Sequence, residues 1–436
     1  MNYLCLISTL KNINMNLKST IVFVTMVAIC FQLSAQCNYI NKQYNVSKES
    51  NVLFGNDISY DGVATDLFLN IFKPVNDFNT KRPILLLIHG GGFTGGTKEE
   101  MDSMCYWYAQ RGYVTATMSY RLGFYGPSFL SSPFAFDSAE VIRAAFRGVQ
   151  DAHGALRFMK GRAAIDSTDV NLAFVGGASA GAITALHLTY ADKAWESPPA
   201  VDSISNVINS FVNKQRPSMG AITGSLNMNG QSSQVQAVVS FYGALLDTTL
   251  VESATDVPMF AYHQTLDPVV GCGYKKGLWN MPLNVGANYP HLFGTCVMEP
   301  RFQNLGYTPN HFQDYIYTGN THGVHDTPLI DGLIAVFLND RICEVIASDV
   351  GESGSDVSFN VYPNPANDFI RIGKSNYAGA TKITLTNGYG AIAYTAIVRN
   401  LENEFEINIQ NLASGIYTLQ LLTNGLIQSK KVVIVH

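Results

Sequence analysis

The sequence predicts an α/β protein: a doubly wound, mostly parallel sheet followed by a small C-terminal β-sandwich. Two observations carry that prediction. Short apolar runs such as 84–88 and 172–175 lack polar alternation, as strands buried on both faces of a parallel sheet do, and helical patterns separate them. At 348–356 the composition shifts to Ser, Gly, Asp and Glu, and beyond it only short strands follow. The α/β domain is therefore expected at 38–347, a linker at 348–356 and the sandwich at 357–436.

Residues 66–72 alternate, with Leu67, Leu69 and Ile71 on one face, and read as an antiparallel edge strand. The buried run 84–88 follows, then a helical stretch at 98–110 and a strand at 113–120. Ile142, Ala145, Phe146, Val149, Leu156 and Met159 recur at helical spacing and predict a long helix. A strand at 172–175 leads into a helix at 180–188. Further strands are expected at 235–242, 258–262 and 312–317, and a last amphipathic helix at 330–337.

Two connections, 192–232 and 271–300, are longer than those that normally join such elements. The first carries Trp195, Pro198, Pro199 and a weakly helical 204–212; the second carries Tyr274, Trp279, Tyr289 and Phe293. Both read as caps or substrate walls at the upper rim of the sheet. Seven short strands complete the chain, at 357–362, 369–372, 382–385, 391–398, 405–409, 416–421 and 431–435. Asn387-Gly388 and Asn424-Gly425 mark hairpin turns among them.

Residues 1–35 read as a signal peptide: Lys18 precedes the apolar run 21–33 and the small pair Ser34-Ala35. That run is shorter than the ~20 residues of a membrane-spanning helix, so no integral membrane segment is expected after its removal. Gln36, before Cys37, argues against lipid attachment. Export permits disulfides. Cys272 and Cys296 bracket a loop rich in Gly and aromatics and form the first expected pair. Cys37 and Cys343, near the two ends of the α/β domain, form a second, and Cys105 is left as a buried thiol.

The chain has 28 basic and 33 acidic residues, a net charge of −5 and only 14% charged residues, against ~25% in an average domain. No strong surface field is available for gripping nucleic acid or anionic membrane. The 47% hydrophobic content, with 24 Phe and 22 Tyr, excludes a disordered chain.

Three motifs carry chemistry. Gly177-Ala178-Ser179-Ala180-Gly181 joins a buried strand to a helix. A serine at such a turn sits on a strained backbone, and the flanking glycines keep neighbouring chains clear. His89-Gly90-Gly91-Gly92-Phe93 follows the strand 84–88, and its Gly91 and Gly92 amides, with that of Ala180, would form an oxyanion hole. Gly95-Gly96-Thr97-Lys98 lacks the spacing of a phosphate-binding loop, and His89 reads as a brace for the glycine loop. The third motif is the general base and its orienting acid, expected after the serine in the order Ser, Asp, His. Asp267 and His322 each lie just past a strand, where open α/β sheets gather their sites. His325 and Asp247 compete for the two roles. His153 and His187 read as structural, His263 and His291 as groups backing the site. No His, Asp or Glu cluster has metal-ligand spacing, and no cofactor is expected.

With these motifs in place, residues 38–345 resemble the α/β-hydrolase superfamily. They are most similar to its carboxylesterases with an HGGG oxyanion loop, near the hormone-sensitive-lipase-like and the feruloyl or acetyl-xylan esterases. HGGGF at 89–93, Ser119-Tyr120-Arg121-Leu122-Gly123, the serine turn, and the Asp267 and His322 contexts carry the resemblance. Ala178 departs from it, because many relatives carry Asp, Glu or Ser there. The resemblance implies a secreted carboxylic ester hydrolase acting through an acyl-enzyme on small-molecule or polymer esters, including acylated polysaccharide or polyester. A serine peptidase and a non-catalytic adhesion protein of the same fold are the alternatives.

The tail resembles a type A sorting domain of the type IX secretion system of Bacteroidota. The matching stretches are Val361-Tyr362-Pro363-Asn364-Pro365-Ala366-Asn367-Asp368, Leu412-Ala413-Ser414-Gly415-Ile416-Tyr417 and Lys430-Lys431-Val432-Val433. That resemblance implies engagement of the type IX machinery and an extracellular or cell-surface location in a Gram-negative bacterium. A carbohydrate-binding sandwich is the alternative for the tail, disfavoured by its few aromatics.

Overall fold

The computed structural model describes residues 38–127, 130, 132–349, 359–373, 380–388, 391–399, 404–423 and 426–436. The expected leader 1–35, Cys37, all but the first two residues of the expected linker, and the Asn424-Gly425 turn lie outside the described residues. One compact unit takes in Tyr39–Ser355; the other takes in Asp356–Thr386 and Ile392–His436. Among the described residues, no helix is long and apolar enough to cross a membrane.

The first unit is built on an eight-stranded sheet. Its strands are β1 (Asn45–Ile58), β2 (Ala64–Val75), β3 (Arg82–Ile88), β4 (Val114–Met118), β5 (Thr168–Ala178), β6 (Ala237–Phe241), β7 (Met259–Gln264) and β8 (Phe312–Tyr317). The spatial order is β1-β2-β4-β3-β5-β6-β7-β8. The β1–β2 and β2–β4 pairs are antiparallel. Every pair from β4 to β8 is parallel.

The strand containing 66–72 is thus second from the edge, not at it. The edge belongs to β1, whose polar, half-exposed sequence NVSKESNVLFGNDI carries little apolar pattern, and two register shifts interrupt its pairing with β2. With β1 outside it, β2 buries Leu67, Leu69 and Ile71 completely.

Successive residues of a strand face opposite sides of the sheet. Ile84, Leu86 and Ile88 share one face with the helices α2 (Ser138–Gly161) and α3 (Ala180–Tyr190), which follow the short α1 (Asp102–Ala109). Two more helices lie beyond, α4 (Thr295–Asn304) and α5 (Thr327–Asp349). On the opposite sheet face, Phe337 of α5 packs against Phe260 of β7. Helix α2 starts where Asp137, in extended backbone, accepts the Glu140 N–H at 3.0 Å and caps its first turn.

The long connection after α3 forms two 3-10 turns, Ala194–Glu196 and Pro199–Val201, and then a hairpin of Ile204–Ile208 with Asn213–Arg216. The helix expected at 204–212 is not formed. Ile204, Val207 and Ile208 are β-branched and favour strand. Asn209 turns the chain by accepting the Phe211 and Val212 amides, each at 2.9 Å.

The second long connection pairs Tyr274–Lys276 with His291–Gly294, which pairs in turn with Ala244–Leu245. The expected Cys272–Cys296 disulfide closes it, with the two Cα atoms 5.1 Å apart. Cys105 is a buried free thiol. Cys343 is disulfide-bonded.

Among its described residues, the C-terminal unit has seven strands: β9 (Val361–Tyr362), β10 (Phe369–Ile372), β11 (Ala380–Asn387), β12 (Ile392–Arg399), β13 (Phe405–Asn408), β14 (Gly415–Thr423) and β15 (Leu426–Ile434). They form an antiparallel sheet β9-β10-β13 and a second sheet β12-β11-β14-β15. Period-2 alternation places Ile370, Ile372, Ile383, Leu385, Leu419 and Leu421 in one apolar core.

Candidate active site

Ser179 stands between β5 and α3 with φ 57° and ψ −121°. That left-handed φ is costly for a residue with a Cβ and persists only where the surroundings over-determine it. Here the Ser179 N–H donates to the Phe241 carbonyl at 3.0 Å, and its carbonyl accepts the Ile183 N–H at 2.9 Å. A Cβ at Gly177 would overlap the backbone of Gly181, and one at Gly181 would overlap the Ile88 and His89 carbonyls. The two glycines let β3, β5 and the first turn of α3 meet at the serine.

The loop after β3 turns tightly, with φ of 105°, 60° and 63° at Gly91, Gly92 and Phe93. The Thr94 and Gly95 amides both donate to the Gly91 carbonyl at 3.0 Å. A Cβ at Gly90 would stand 3.2 Å from Ser179 Cβ, so the loop lies directly against the serine. His89 is buried and stacks on Tyr120 at 4.5 Å, while the Tyr120 hydroxyl is shared between the His89 and Gly90 carbonyls. Burial holds the His89 pKa below its ordinary value, so the ring is a neutral brace. The first amides of α3, beginning with Ala180, have no intrahelical acceptor, and the helix dipole adds partial positive charge there.

Asp267 is fully buried beyond β7. Its Oδ1 accepts the Val269 and Val270 amides at 2.8 and 3.0 Å, and its Oδ2 lies 2.7 Å from His322 Nδ1. A carboxylate only accepts, so Nδ1 carries the proton and His322 Nε2 carries the lone pair. His263 lies behind Asp267, 3.8 Å from Oδ2. Its Nε2–H donates to the Val270 carbonyl at 2.8 Å and its Nδ1 accepts from Thr295 at 3.0 Å, while burial lowers its pKa. It therefore stays neutral and leaves the charge of Asp267 to His322.

The competing residues are engaged otherwise, although Asp247 lines the same cavity as Ser179. Asp247 caps a 3-10 turn through the Thr249 N–H. His325 stacks on Tyr317 at 3.8 Å and pairs with the Tyr262 hydroxyl. His153 bonds Ser233, and both nitrogens of His187 are engaged, by the Ile183 carbonyl and the Leu246 amide. His291 does not back the site; it is exposed and stacks on Tyr274. Among the described residues, no group of three His, Cys, Asp or Glu side chains could hold a metal ion.

Sequence reading missed Tyr242. This residue follows β6 with φ 43°, its N–H donates to the Tyr262 carbonyl at 2.6 Å, and its ring lies 4.5 Å from that of His322. Burial and the nearby Asp267 charge push its pKa up to about 12. It follows Phe241, whose carbonyl accepts the Ser179 N–H. No hydrogen bond joins Ser179 to His322 among the described residues.

Beside Ser179 opens a cavity of about 390 Å³. Gly92, Ser179 and Ala180 are among its lining residues. Both long connections contribute walls, the first through Trp195, Pro198 and Pro199, the second through Leu278, Tyr289 and Leu292. Of the aromatics expected there, Trp279 instead donates its indole N–H to the Asp267 carbonyl at 2.8 Å, and the Tyr274 ring lies tilted against that of Phe293 at 4.5 Å.

The carboxylesterase family pattern matches residues 26–270, more than half of the chain. The chain belongs to the carboxylesterase family. Its match contains the glycine loop, Ser179 and Asp267 and ends before His322. A secretion system C-terminal sorting domain matches residues 360–435. Gut esterase 1 of Caenorhabditis elegans is 34% identical over 152 residues, 34% of this chain and 24% of that protein. A neuroligin-like protein of the same nematode is 34% identical over 118 residues, 27% of this chain and 15% of that protein. This member of the family therefore spans a quarter or less of the length of these relatives. A propionate-bound esterase of Thermogutta terrifontis is 18% identical, with a TM-score of 0.40, covering 72% of this chain and 96% of that one.

Proposed function

We propose that this carboxylesterase-family protein is an exported serine esterase in which Ser179, His322 and Asp267 cleave carboxylic esters. The observation that carries the reading is the 2.7 Å bond from His322 Nδ1 to buried Asp267, which leaves Nε2 as a base at the same sheet edge as the strained serine. Ser179 Oγ attacks the ester carbonyl as Nε2 takes its proton, and the Nδ1–H of the imidazolium stays bonded to the Asp267 carboxylate. The Gly91, Gly92 and Ala180 amides hold the oxyanion, where each such donor lowers the barrier by ~3 kcal/mol. The imidazolium then protonates the departing alcohol, and water activated by His322 releases the acid from Ser179.

Most of the cavity wall is apolar, with Glu196, Asp247 and Thr249 among its polar residues and both His187 nitrogens already bonded. Uncharged acyl or alkoxy groups fit such a space, including those that decorate polysaccharides or form polyesters. The tail supports export through the type IX machinery, with residues 1–35 as the leader removed on the way. An acyl-chain series with methyl ferulate, acetylated xylan and a polyester film tests the reading. Ser179→Ala is expected to remove turnover at least a thousandfold, and activity within tenfold of wild type would exclude it.

A further inference from the structure

His322 has to present Nε2 to the serine, and Asp267 holds only its ring. The backbone that carries the ring is held by Gln264, the last residue of β7 and three positions before Asp267. The Gln264 side chain is buried, and both ends of its carboxamide are engaged by residues flanking His322. Its Nε2 donates to Thr321 Oγ1 at 2.7 Å and to the Gly323 carbonyl at 2.8 Å, while its Oε1 accepts the Thr321 N–H at 3.0 Å. The space it occupies depends on a second residue, because a Cβ at Gly319 would overlap Gln264 Oε1.

We propose that Gln264 is a positioning residue for the ester-cleaving step: its amide clamps the Thr321-His322-Gly323 loop and sets where His322 Nε2 points. This rests on the role assigned to Ser179 and His322 above. One strand end then supplies both constraints on the base, the carboxylate on the ring and the carboxamide on the backbone. An apolar residue of similar size would fill the same space but leave the Thr321 N–H and the Gly323 carbonyl unpaired. Misplacing a reacting group by about 1 Å can cost on the order of a hundredfold in rate, whereas the walls that bind the substrate stay unchanged.

The test compares wild type, Gln264→Leu and Thr321→Val in the full chain, well below the melting temperature of each. The readouts are kcat, KM and the rate at which a fluorophosphonate probe labels Ser179. Gln264→Leu is expected to lower kcat and the labelling rate about 10- to 100-fold with KM within twofold. Thr321→Val removes only the hydroxyl acceptor and is expected to lower kcat two- to fivefold. A purely structural role would lower the melting temperature and leave kcat and the labelling rate of the folded protein unchanged, and that result overturns the clamp. If Gln264→Leu does not fold, Thr321→Val decides: a loss of kcat at constant KM supports the clamp, and an unchanged kcat overturns it. A wild-type protein whose Ser179 is never labelled removes the esterase reading itself, and the clamp with it.

Discussion

Two long connections wall the same cavity, and different chemistry holds each of them. The first, 192–232, is tied down by polar side chains of α2. Arg143 donates to the Ala200, Asp202 and Pro217 carbonyls, Gln150 to those of Met219 and Ala221, and Arg157 to those of Thr223 and Leu226. These three residues are seven apart, two helical turns each, and so share one face. His153 and Lys160 extend the row to Ser233 and the Gln234 carbonyl. The second connection, 271–300, is closed by the Cys272–Cys296 disulfide and by short antiparallel pairs. One wall therefore depends on proton and hydrogen-bond chemistry, the other on a covalent link. A chain with 14% charged residues still places several of them inside, where they serve irregular backbone instead of a surface field.

The contrast can be broken from either side. The largest effect is expected at the second wall: the double variant Cys272→Ser, Cys296→Ser should lose about 3 kcal/mol, from the chain entropy of a loop of this length. Urea titration with and without reductant measures it, and reductant should shift the double variant less than wild type, since among the described residues only the disulfide at Cys343 is left for it to cut. At the first wall, Arg143→Met strands three carbonyls and should cost about 2 kcal/mol, with no added sensitivity to reductant. The same titration separates the two outcomes.

A smaller effect is expected in acid. Burial pushes the His153 pKa down to about 3, below the ~6.5 of the unfolded chain. The unfolded state then binds a proton that the folded state does not, so stability present above pH 6.5 is lost as pH falls toward 3. The loss should be about 1 kcal/mol between pH 6.5 and 5.5, and His153→Gln should flatten that part of the profile. The least effect is expected from Lys193→Ala, whose exposed pair with Glu252 should leave the melting temperature unchanged.

What could be read from the chain follows the range of the forces involved. The serine turn and the glycine loop were legible because their requirements are local: positive φ, close backbone approach, and a strand running into a helix. Buried parallel strands were legible because they are apolar on both faces. β1 was not, because an edge strand needs little apolar pattern, and its pairing with β2 is decided by the partner. Residues 204–212 carry a helical spacing in Ile204, Val207, Ile208 and Phe211, but the Asn209 turn and the β-branched residues outweigh it and a hairpin forms. Arg143, Gln150 and Arg157 look in sequence like a solvated helix face, and only the returning connection turns that face inward.

The residue types of the proposed nucleophile, base and acid, and their order along the chain, are present in the linear sequence, because each sits at a turn whose geometry its neighbours impose. Which histidine meets which aspartate required the fold. Asp267 selects His322 over His325 because Gln264 and Tyr262 hold the loop at different points, with Tyr262 accepting the His325 N–H at 3.0 Å. Tyr242 likewise acquires its place only when β6 and β7 lie side by side. Such choices depend on contacts between segments far apart in sequence, which no local preference encodes.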